Sequence, residues 1–213
     1  MEDVLERLAA ARIVPVIVLD DAERADGLAG ALVEGGLPVA EVTLRTDAGL
    51  ASIEKMAHNP DILLGAGTVL TPDQVDSAVS AGASYVVSPG LSRPVVERCR
   101  ERGVACLPGA VTATEIQAAL DLGLTTLKFF PASTSGGPAA IKAFASPFGM
   151  VRFVPTGGVN LGNLPDYLAI PAVAAVGGSW MVPRDAIAAS DFARITKLTS
   201  ASVSAARKID SRR

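Results

Sequence analysis

Histidine and aromatic residues are scarce in this chain of 213 residues, which has one histidine, six phenylalanines, two tyrosines and one tryptophan. With His58 alone, there is almost no material for a histidine-based zinc site or for a Ser-His catalytic triad. No apolar run approaches the roughly 20 residues of a membrane-spanning helix. The charged N-terminus has no apolar segment of the kind found in signal peptides. We therefore expect a cytoplasmic protein with no metal and no membrane partner.

An excess of basic residues is also missing, because the formal net charge is −3. No overall positive field would attract nucleic acid, so an anionic ligand would have to be bound by local groups. Cys99 and Cys106 form no C-x-x-C pattern and are predicted to be reduced cytosolic thiols. The abundant residues are small aliphatics and glycine, which suit strands that helices cover on both faces.

Short apolar runs alternate with longer amphipathic segments along the whole chain. This alternation predicts one α/β domain over residues 1–213, a (β/α)8 TIM barrel with an extra N-terminal helix at about residues 1–10. A doubly wound open sheet is the runner-up. The eight predicted strands are 13–19, 39–44, 62–66, 85–88, 104–108, 125–130, 151–156 and 173–178.

Helix signals are clearest at residues 71–82 and 112–123, both of which end at a glycine. Thr112 and Glu115 have the spacing of a capping box. A closing helix is predicted from Asp191 to about Arg207, followed by a frayed tail with the sequence "KIDSRR".

Two opposite charges lie on strands that a barrel would bury. In "EVTLRT", Glu41 and Arg45 alternate with apolar residues, so Glu41 should point into the barrel and Arg45 should lie at its mouth. In "TTLKFF", Lys128 should point inward for the same reason. Glu41 and Lys128 could form a structural ion pair. Alternatively, a desolvated lysine can be an amine nucleophile toward carbonyl groups, with the glutamate moving protons.

Glycine pairs follow the last two predicted strands, in "TGGVN" and "GGSW". Backbone amides of these loops, together with the Ser179 hydroxyl, would form an anion-binding site where barrels commonly hold phosphate. Tight turns alone would also explain the glycines in either loop, but two such loops in succession favour a phosphate site. Thr68 and Pro89 follow the third and fourth strands and are expected to shape the mouth.

Eight short motifs, taken in order and spacing, resemble the class I 2-keto-3-deoxy-6-phosphogluconate (KDPG) aldolases. This group overlaps with the 4-hydroxy-2-oxoglutarate (KHG) aldolases, and the resemblance extends over residues 13–198. Each motif is weak alone, whereas the ordered set is highly specific. The motifs are "PVIVLDD", "EVTLRT", "GAGTVLTPDQ", "SPGL", "PGAVTATE", "LKFFPA", "PTGGV" and "GGSWMVP".

The resemblance implies a role for each candidate residue. Lys128 corresponds to the Schiff-base lysine and Glu41 to the proton-transferring glutamate. Arg45 and Thr68 correspond to residues that hold the carboxylate and keto group of the pyruvate end, in a pocket that Pro89 lines. The phosphate site falls on Gly157, Gly158, Gly178 and Ser179.

The resemblance also implies a metal-free homotrimer that acts in carbohydrate metabolism, in the Entner–Doudoroff pathway. Its ligands would be a phosphorylated 2-keto-3-deoxy sugar acid and pyruvate, with no cofactor beyond the covalent imine at Lys128. The chain departs from the family pattern at Ser133, where many members have glutamate, and at Ala113, where proline is common.

Several alternatives remain open at the level of sequence. KHG or the galactonate epimer of KDPG would undergo the same chemistry. A phosphosugar isomerase or synthase, or a barrel that only binds a phosphorylated acid, would explain the glycine loops. Neither would give Lys128 and Glu41 a covalent role.

Overall fold

The structure is a computed structural model, and it describes residues 2–210. It contains the eight predicted strands, with ends that differ from the predicted ones by at most three residues. Each strand is followed by helical or turn segments, which is the alternation that the sequence predicted. The strands are β1 (Ile13–Ile17), β2 (Val39–Thr43), β3 (Leu63–Gly67), β4 (Tyr85–Val87), β5 (Ala105–Leu107), β6 (Thr126–Phe129), β7 (Arg152–Pro155) and β8 (Val176–Gly178).

The helices surround the strands and include the predicted extra helix at the N-terminus. A short 3-10 turn at Ala22–Arg24 precedes the second helix. The helices are α1 (Glu2–Ala11), α2 (Ala25–Glu34), α3 (Gly49–Met56), α4 (Pro72–Ser80), α5 (Arg93–Glu101), α6 (Ala113–Asp121), α7 (Gly137–Ala145), α8 (Leu164–Leu168), α9 (Arg184–Ala188) and α10 (Phe192–Asp210).

Parallel pairing closes the strands into a TIM-like barrel. Six strands pair in the order β5-β4-β3-β2-β1-β8, and β6 pairs with β7. A bridge between Gly109 and Lys128 joins β5 to β6, and a bridge between Thr156 and Gly177 joins β7 to β8. The predicted barrel is therefore confirmed, and the runner-up open sheet is not.

Local signals account for the helix ends. Thr71 caps α4 by accepting a hydrogen bond from the Gln74 amide. Thr112 and Glu115 form the predicted capping box at α6, in which each side chain satisfies an amide of the first turn. The glycines that follow α4 and α6 have positive φ, the backbone conformation that ends helices at low cost in glycine.

The C-terminal helix is longer than predicted. It continues through Asp210, so the prediction that the tail frays from residue 208 is wrong for residues 208–210. The rest of the predicted tail, residues 211–213, lies outside the described residues. Between residues 2 and 210, no helix is both long and apolar enough to cross a membrane.

Candidate active site

Lys128 and Glu41 meet inside the barrel, as their strand positions predicted. Lys128 Nζ lies 3.0 Å from Glu41 Oε1, and the two side chains are 8% and 3% exposed. The pair joins β2 to β6 across 87 positions of sequence. An ion pair so deeply buried carries a desolvation cost that its own attraction offsets only in good geometry. Its geometry alone fits either a structural or a catalytic role.

Neighbouring strands supply the space that Glu41 occupies. Gly67 of β3 packs against the carboxylate, and a Cβ at that position would lie 2.7 Å from Glu41 Cγ. Tyr85 of β4 is buried nearby and donates a hydrogen bond from its hydroxyl to the Ala40 carbonyl oxygen at 2.7 Å. Burial, and after it the negative charge of Glu41, raises the pKa of Tyr85. Tyr85 is thus a neutral phenol that β4 holds against the backbone of β2, and sequence analysis did not identify it.

Phe130 lies between the buried pair and the surface. Its ring centroid is 5.4 Å from Lys128 Nζ, within the range of a cation–π contact. Phe130 also lines a cleft of about 330 Å³ at the C-terminal ends of the strands. Lys128 itself is buried, so the amine lies below this cleft, behind an aromatic side chain that is 37% exposed.

The predicted phosphate loops line the same cleft. Gly157 and Gly158 contribute from the loop after β7, and Gly178 and Ser179 contribute from the end of β8. Gly157 and Gly158 have φ values of 93° and 79°, which side chains other than glycine rarely adopt. The geometry therefore brings together the four residues that sequence analysis assigned to an anion site.

Ser133 packs against one of these loops. Its backbone amide donates to the Gly157 carbonyl oxygen at 3.0 Å, and a Cβ at Gly158 would overlap its hydroxyl. The position where many members of the family have glutamate is thus part of the wall behind the predicted phosphate loop.

Arg45 lies at the mouth of the barrel, as predicted, and lines the cleft. Its Nε donates to Thr43 Oγ1 at 3.2 Å. The Thr43 hydroxyl in turn donates to the Ile17 carbonyl oxygen at 2.8 Å. These bonds orient the guanidinium over the end of β2, where a carboxylate could be bound by two parallel hydrogen bonds.

Thr68 and Pro89 follow β3 and β4, as predicted, but neither lines this cleft. Thr68 has a φ of 61°, an uncommon conformation for threonine that fixes the start of the loop after β3. The Pro89 carbonyl oxygen packs so tightly against Gly109 that a Cβ there would overlap it. In the ring of strands, these two residues lie across the mouth from the β7 and β8 loops.

Arg184 is a cleft residue that sequence analysis missed. It is the first residue of α9, and its guanidinium lies 2.6 Å from Asp20 Oδ2 in the loop after β1. No motif marks it, since a single arginine after "MVP" resembles any surface residue. Arg45 and Arg184 are the charged side chains among the twelve described residues that line the cleft.

Within residues 2–210, no three histidine, cysteine, aspartate or glutamate side chains are grouped closely enough to hold an ion. His58 is exposed beyond the end of α3, as expected for a surface residue.

Comparisons with known proteins identify relatives over almost the whole chain. A family model described as KDPG and KHG aldolase matches residues 4–198. The 2-dehydro-3-deoxy-phosphogluconate aldolase of Treponema pallidum (strain Nichols) is 48% identical over 200 residues, covering 93% of this chain and 95% of the relative.

Two solved structures have the same fold at high sequence identity. The KDPG aldolase of Zymomonas mobilis ZM4, crystallised with 3-phosphoglycerate, has a TM-score of 0.87 and 44% identity over 94% of this chain and 93% of that one. The KDPG aldolase of Legionella pneumophila holds pyruvate captured at low pH as a covalent carbinolamine. It has a TM-score of 0.90 and 41% identity over 93% of this chain and 97% of that one.

Proposed function

Because this chain belongs to the KDPG and KHG aldolase family, we propose that it is a class I aldolase. It cleaves KDPG to pyruvate and glyceraldehyde 3-phosphate through an imine on Lys128. The observation that carries this mechanism is the buried contact between Lys128 Nζ and Glu41 Oε1 at 3.0 Å. The carbinolamine captured in the Legionella relative supports the same chemistry for this chain.

The first steps take place at Lys128. The neutral amine attacks the C2 ketone of the substrate and gives a carbinolamine. Glu41 lies within hydrogen-bond distance of this nitrogen, so it can accept a proton from the amine and return one to the departing water. Loss of water leaves a protonated imine, which withdraws electrons from the adjacent carbon chain.

Cleavage follows from the imine. Glu41, directly or through a water molecule, removes the proton of the C4 hydroxyl group. The C3–C4 bond breaks, its electron pair moves to the imine as an enamine of pyruvate, and the aldehyde leaves. Protonation of the enamine and hydrolysis of the imine then release pyruvate and restore Lys128. No metal takes part in these steps.

Two anionic ends of the substrate need separate anchors. Arg45 suits the carboxylate because its planar guanidinium matches two carboxylate oxygens, with Thr68 and Pro89 on the pyruvate side. Gly157, Gly158, Gly178 and Ser179 suit the phosphate, since backbone amides and a hydroxyl group can all donate to it.

KHG is a second candidate substrate, because the matching family model is described for both substrates. Its cleavage would give pyruvate and glyoxylate by the same steps at Lys128. Family membership does not favour the galactonate epimer, a phosphosugar isomerase or a barrel that only binds its ligand.

Borohydride trapping tests the proposal. The protein is incubated with pyruvate, the imine is reduced to a stable amine, and the modified peptide is identified by mass spectrometry. We expect a pyruvate-sized adduct on Lys128 that is absent from Lys128→Met. Lys55 offers a matched control, because it also pairs with a glutamate, at 2.7 Å from Glu23 Oε1, but on the surface. Lys55→Met should keep the adduct and the turnover of KDPG.

The opposite results would refute the mechanism. An adduct on Lys55 but not on Lys128, or full KDPG cleavage by Lys128→Met, would show that the buried pair is structural. Turnover of KDPG and KHG by the wild-type protein, measured side by side through pyruvate release, decides which substrate is preferred.

The oligomeric state and the location in the cell stay predictions. A homotrimer of the 21.7-kDa chain would have a mass of about three times that value in light scattering after gel filtration. The expected cytoplasmic location can be tested by fractionating the native host.

A further inference from the structure

We propose that Arg184 is a phosphate-binding residue that exchanges its partner Asp20 for the phosphate group of the substrate. This inference rests on the proposed function, because it concerns the phosphate end of the same cleft. Arg184 would add a positive charge to a phosphate site in which the two glycine loops offer only neutral hydrogen-bond donors. Arg184 would thereby set the preference of the enzyme for phosphorylated over unphosphorylated substrates.

The charge balance of the cleft leads to this proposal. A phosphate monoester carries nearly two negative charges at neutral pH, whereas Gly157, Gly158, Gly178 and Ser179 supply amides and a hydroxyl group. Arg45 lies over the end of β2 and serves the carboxylate in the proposed mechanism. Among the described residues that line the cleft, Arg184 is the other charged one. Its positive charge is the one that a phosphate requires.

Position also favours Arg184. Ser179 and Arg184 belong to one segment, which leaves β8 and enters α9. Asp20 lies in the loop after β1, the strand that pairs with β8. Its carboxylate, 2.6 Å from the guanidinium, holds Arg184 at the edge of the cleft.

The contact with Asp20 is well suited to exchange. The Arg184 and Asp20 side chains are 63% and 62% exposed, and ion pairs so accessible to water contribute little to stability. A phosphate can offer two of its oxygens to a guanidinium, as a carboxylate does, and it carries more charge. The guanidinium can therefore leave Asp20 at small cost and bind the substrate by two hydrogen bonds.

Steady-state kinetics of Arg184→Gln tests the proposal. For the condensation of pyruvate with glyceraldehyde 3-phosphate, we expect the KM of the phosphorylated aldehyde to rise roughly tenfold, about 1.4 kcal/mol of binding. The kcat should stay within about twofold, because Arg184 lies away from the buried pair. With unphosphorylated glyceraldehyde, the KM should not change. Arg184→Lys should recover part of the loss, since it restores the charge without the planar fork.

Arg194 provides a matched control. It forms a surface pair with Asp185 at 2.7 Å, in which the two side chains are 47% and 68% exposed. The pair joins α10 to α9, and Arg194 does not line the cleft. Arg194→Gln removes the same chemical groups and should leave the KM of both aldehydes unchanged. An equal effect of Arg184→Gln and Arg194→Gln would overturn the proposal, as would equal KM changes for the two aldehydes.

Asp20→Asn tests the exchange itself. Without the competing carboxylate, the KM for glyceraldehyde 3-phosphate should fall about twofold, and this gain should vanish when Arg184→Gln is also present. A gain that persists in the double variant would show that Asp20 acts independently of Arg184.

Calorimetric binding of inorganic phosphate separates this proposal from the aldolase activity, because it needs no turnover. We expect the wild-type protein and Arg194→Gln to bind phosphate alike and Arg184→Gln to bind it roughly tenfold more weakly, the same change as in KM. Equal phosphate affinity in all three would overturn the role of Arg184 even if KDPG cleavage is confirmed. If Arg184→Gln loses phosphate affinity and Arg194→Gln does not, the role of Arg184 is supported even if Lys128 forms no adduct with pyruvate.

Discussion

Gly67 limits where the Glu41 carboxylate can lie, and replacing it with alanine should disable the enzyme without touching either member of the buried pair. A Cβ at Gly67 would lie 2.7 Å from Glu41 Cγ and 2.9 Å from Cδ, closer than real Cβ contacts allow. Gly67 does not have a positive φ, so the backbone accepts alanine. The whole effect must therefore come from displacement of Glu41, which is 3% exposed and has little room to move.

The size of the effect follows from this overlap. Inserting a methyl group into a filled core costs about 1–3 kcal/mol of stability. Moving a catalytic group by about 1 Å costs roughly a hundredfold in rate. We expect Gly67→Ala to remain folded, to lose stability in this range and to lose about a hundredfold in kcat for KDPG cleavage. Pyruvate release coupled to lactate dehydrogenase measures kcat, and urea unfolding measures stability.

Two variants isolate the cause. In Glu41→Ala the obstructing atoms are gone, so adding Gly67→Ala should cost almost nothing further in stability. Gly30→Ala is the control, because a Cβ there meets nothing within 4 Å and the position is an exposed site of α2. It should keep full activity. The reasoning is refuted if Gly67→Ala keeps kcat within about twofold of the wild type, or if it destabilises Glu41→Ala as much as the wild-type protein.

Two further predictions concern groups away from the active site. The hydrogen bond from Arg98, and with it that from Arg102, lowers the pKa of Asp76 below its usual value of 3.8. The ionised carboxylate then stabilises the folded state above about pH 3.8, and this contribution is lost as the pH falls through the lower folded-state pKa. Asp76→Asn should therefore lose less stability than the wild-type protein between about pH 5 and pH 2.5 in urea titrations. Cys99 and Cys106 are both buried, so Ellman's reagent should label neither thiol until denaturant is added. Labelling of the native protein at the rate of a free thiol would contradict their burial.

Strand alternation predicted the centre of the candidate site because successive side chains of a strand point to opposite faces of the barrel wall. The apolar neighbours of Glu41 and Lys128 identified the outer face of each strand, so both charges had to point inward. The predicted strands around them, 39–44 and 125–130, contain the observed β2 and β6. The capping box at Thr112 was equally predictable, since its two partners are three residues apart and depend on no distant contact.

Contacts between distant segments could not be predicted in this way. Gly67 belongs to a recognised motif, but its role as the space for Glu41 depends on how β2 and β3 align. Tyr85 of β4 reaches the Ala40 carbonyl oxygen of β2 only because the barrel places β4, β3 and β2 side by side. Arg184 reaches the cleft because closure of the barrel places the loop after β1 beside the start of α9. None of these relations leaves a periodic or local pattern in the sequence.

Burial divides the candidate site residues into two layers. Lys128 and Glu41 are almost inaccessible to water, where charges act on each other more strongly than at the surface. Arg45, Ser179 and Arg184 are exposed, where water weakens each contact but the chain can change without disturbing the core. Substitutions in the buried layer should therefore act on kcat for every 2-keto acid alike. Substitutions of Arg45 should raise KM for every 2-keto acid, since all of them carry the carboxylate that it is proposed to bind. Substitutions of Ser179 and Arg184 should raise KM only for substrates with a phosphate at the far end.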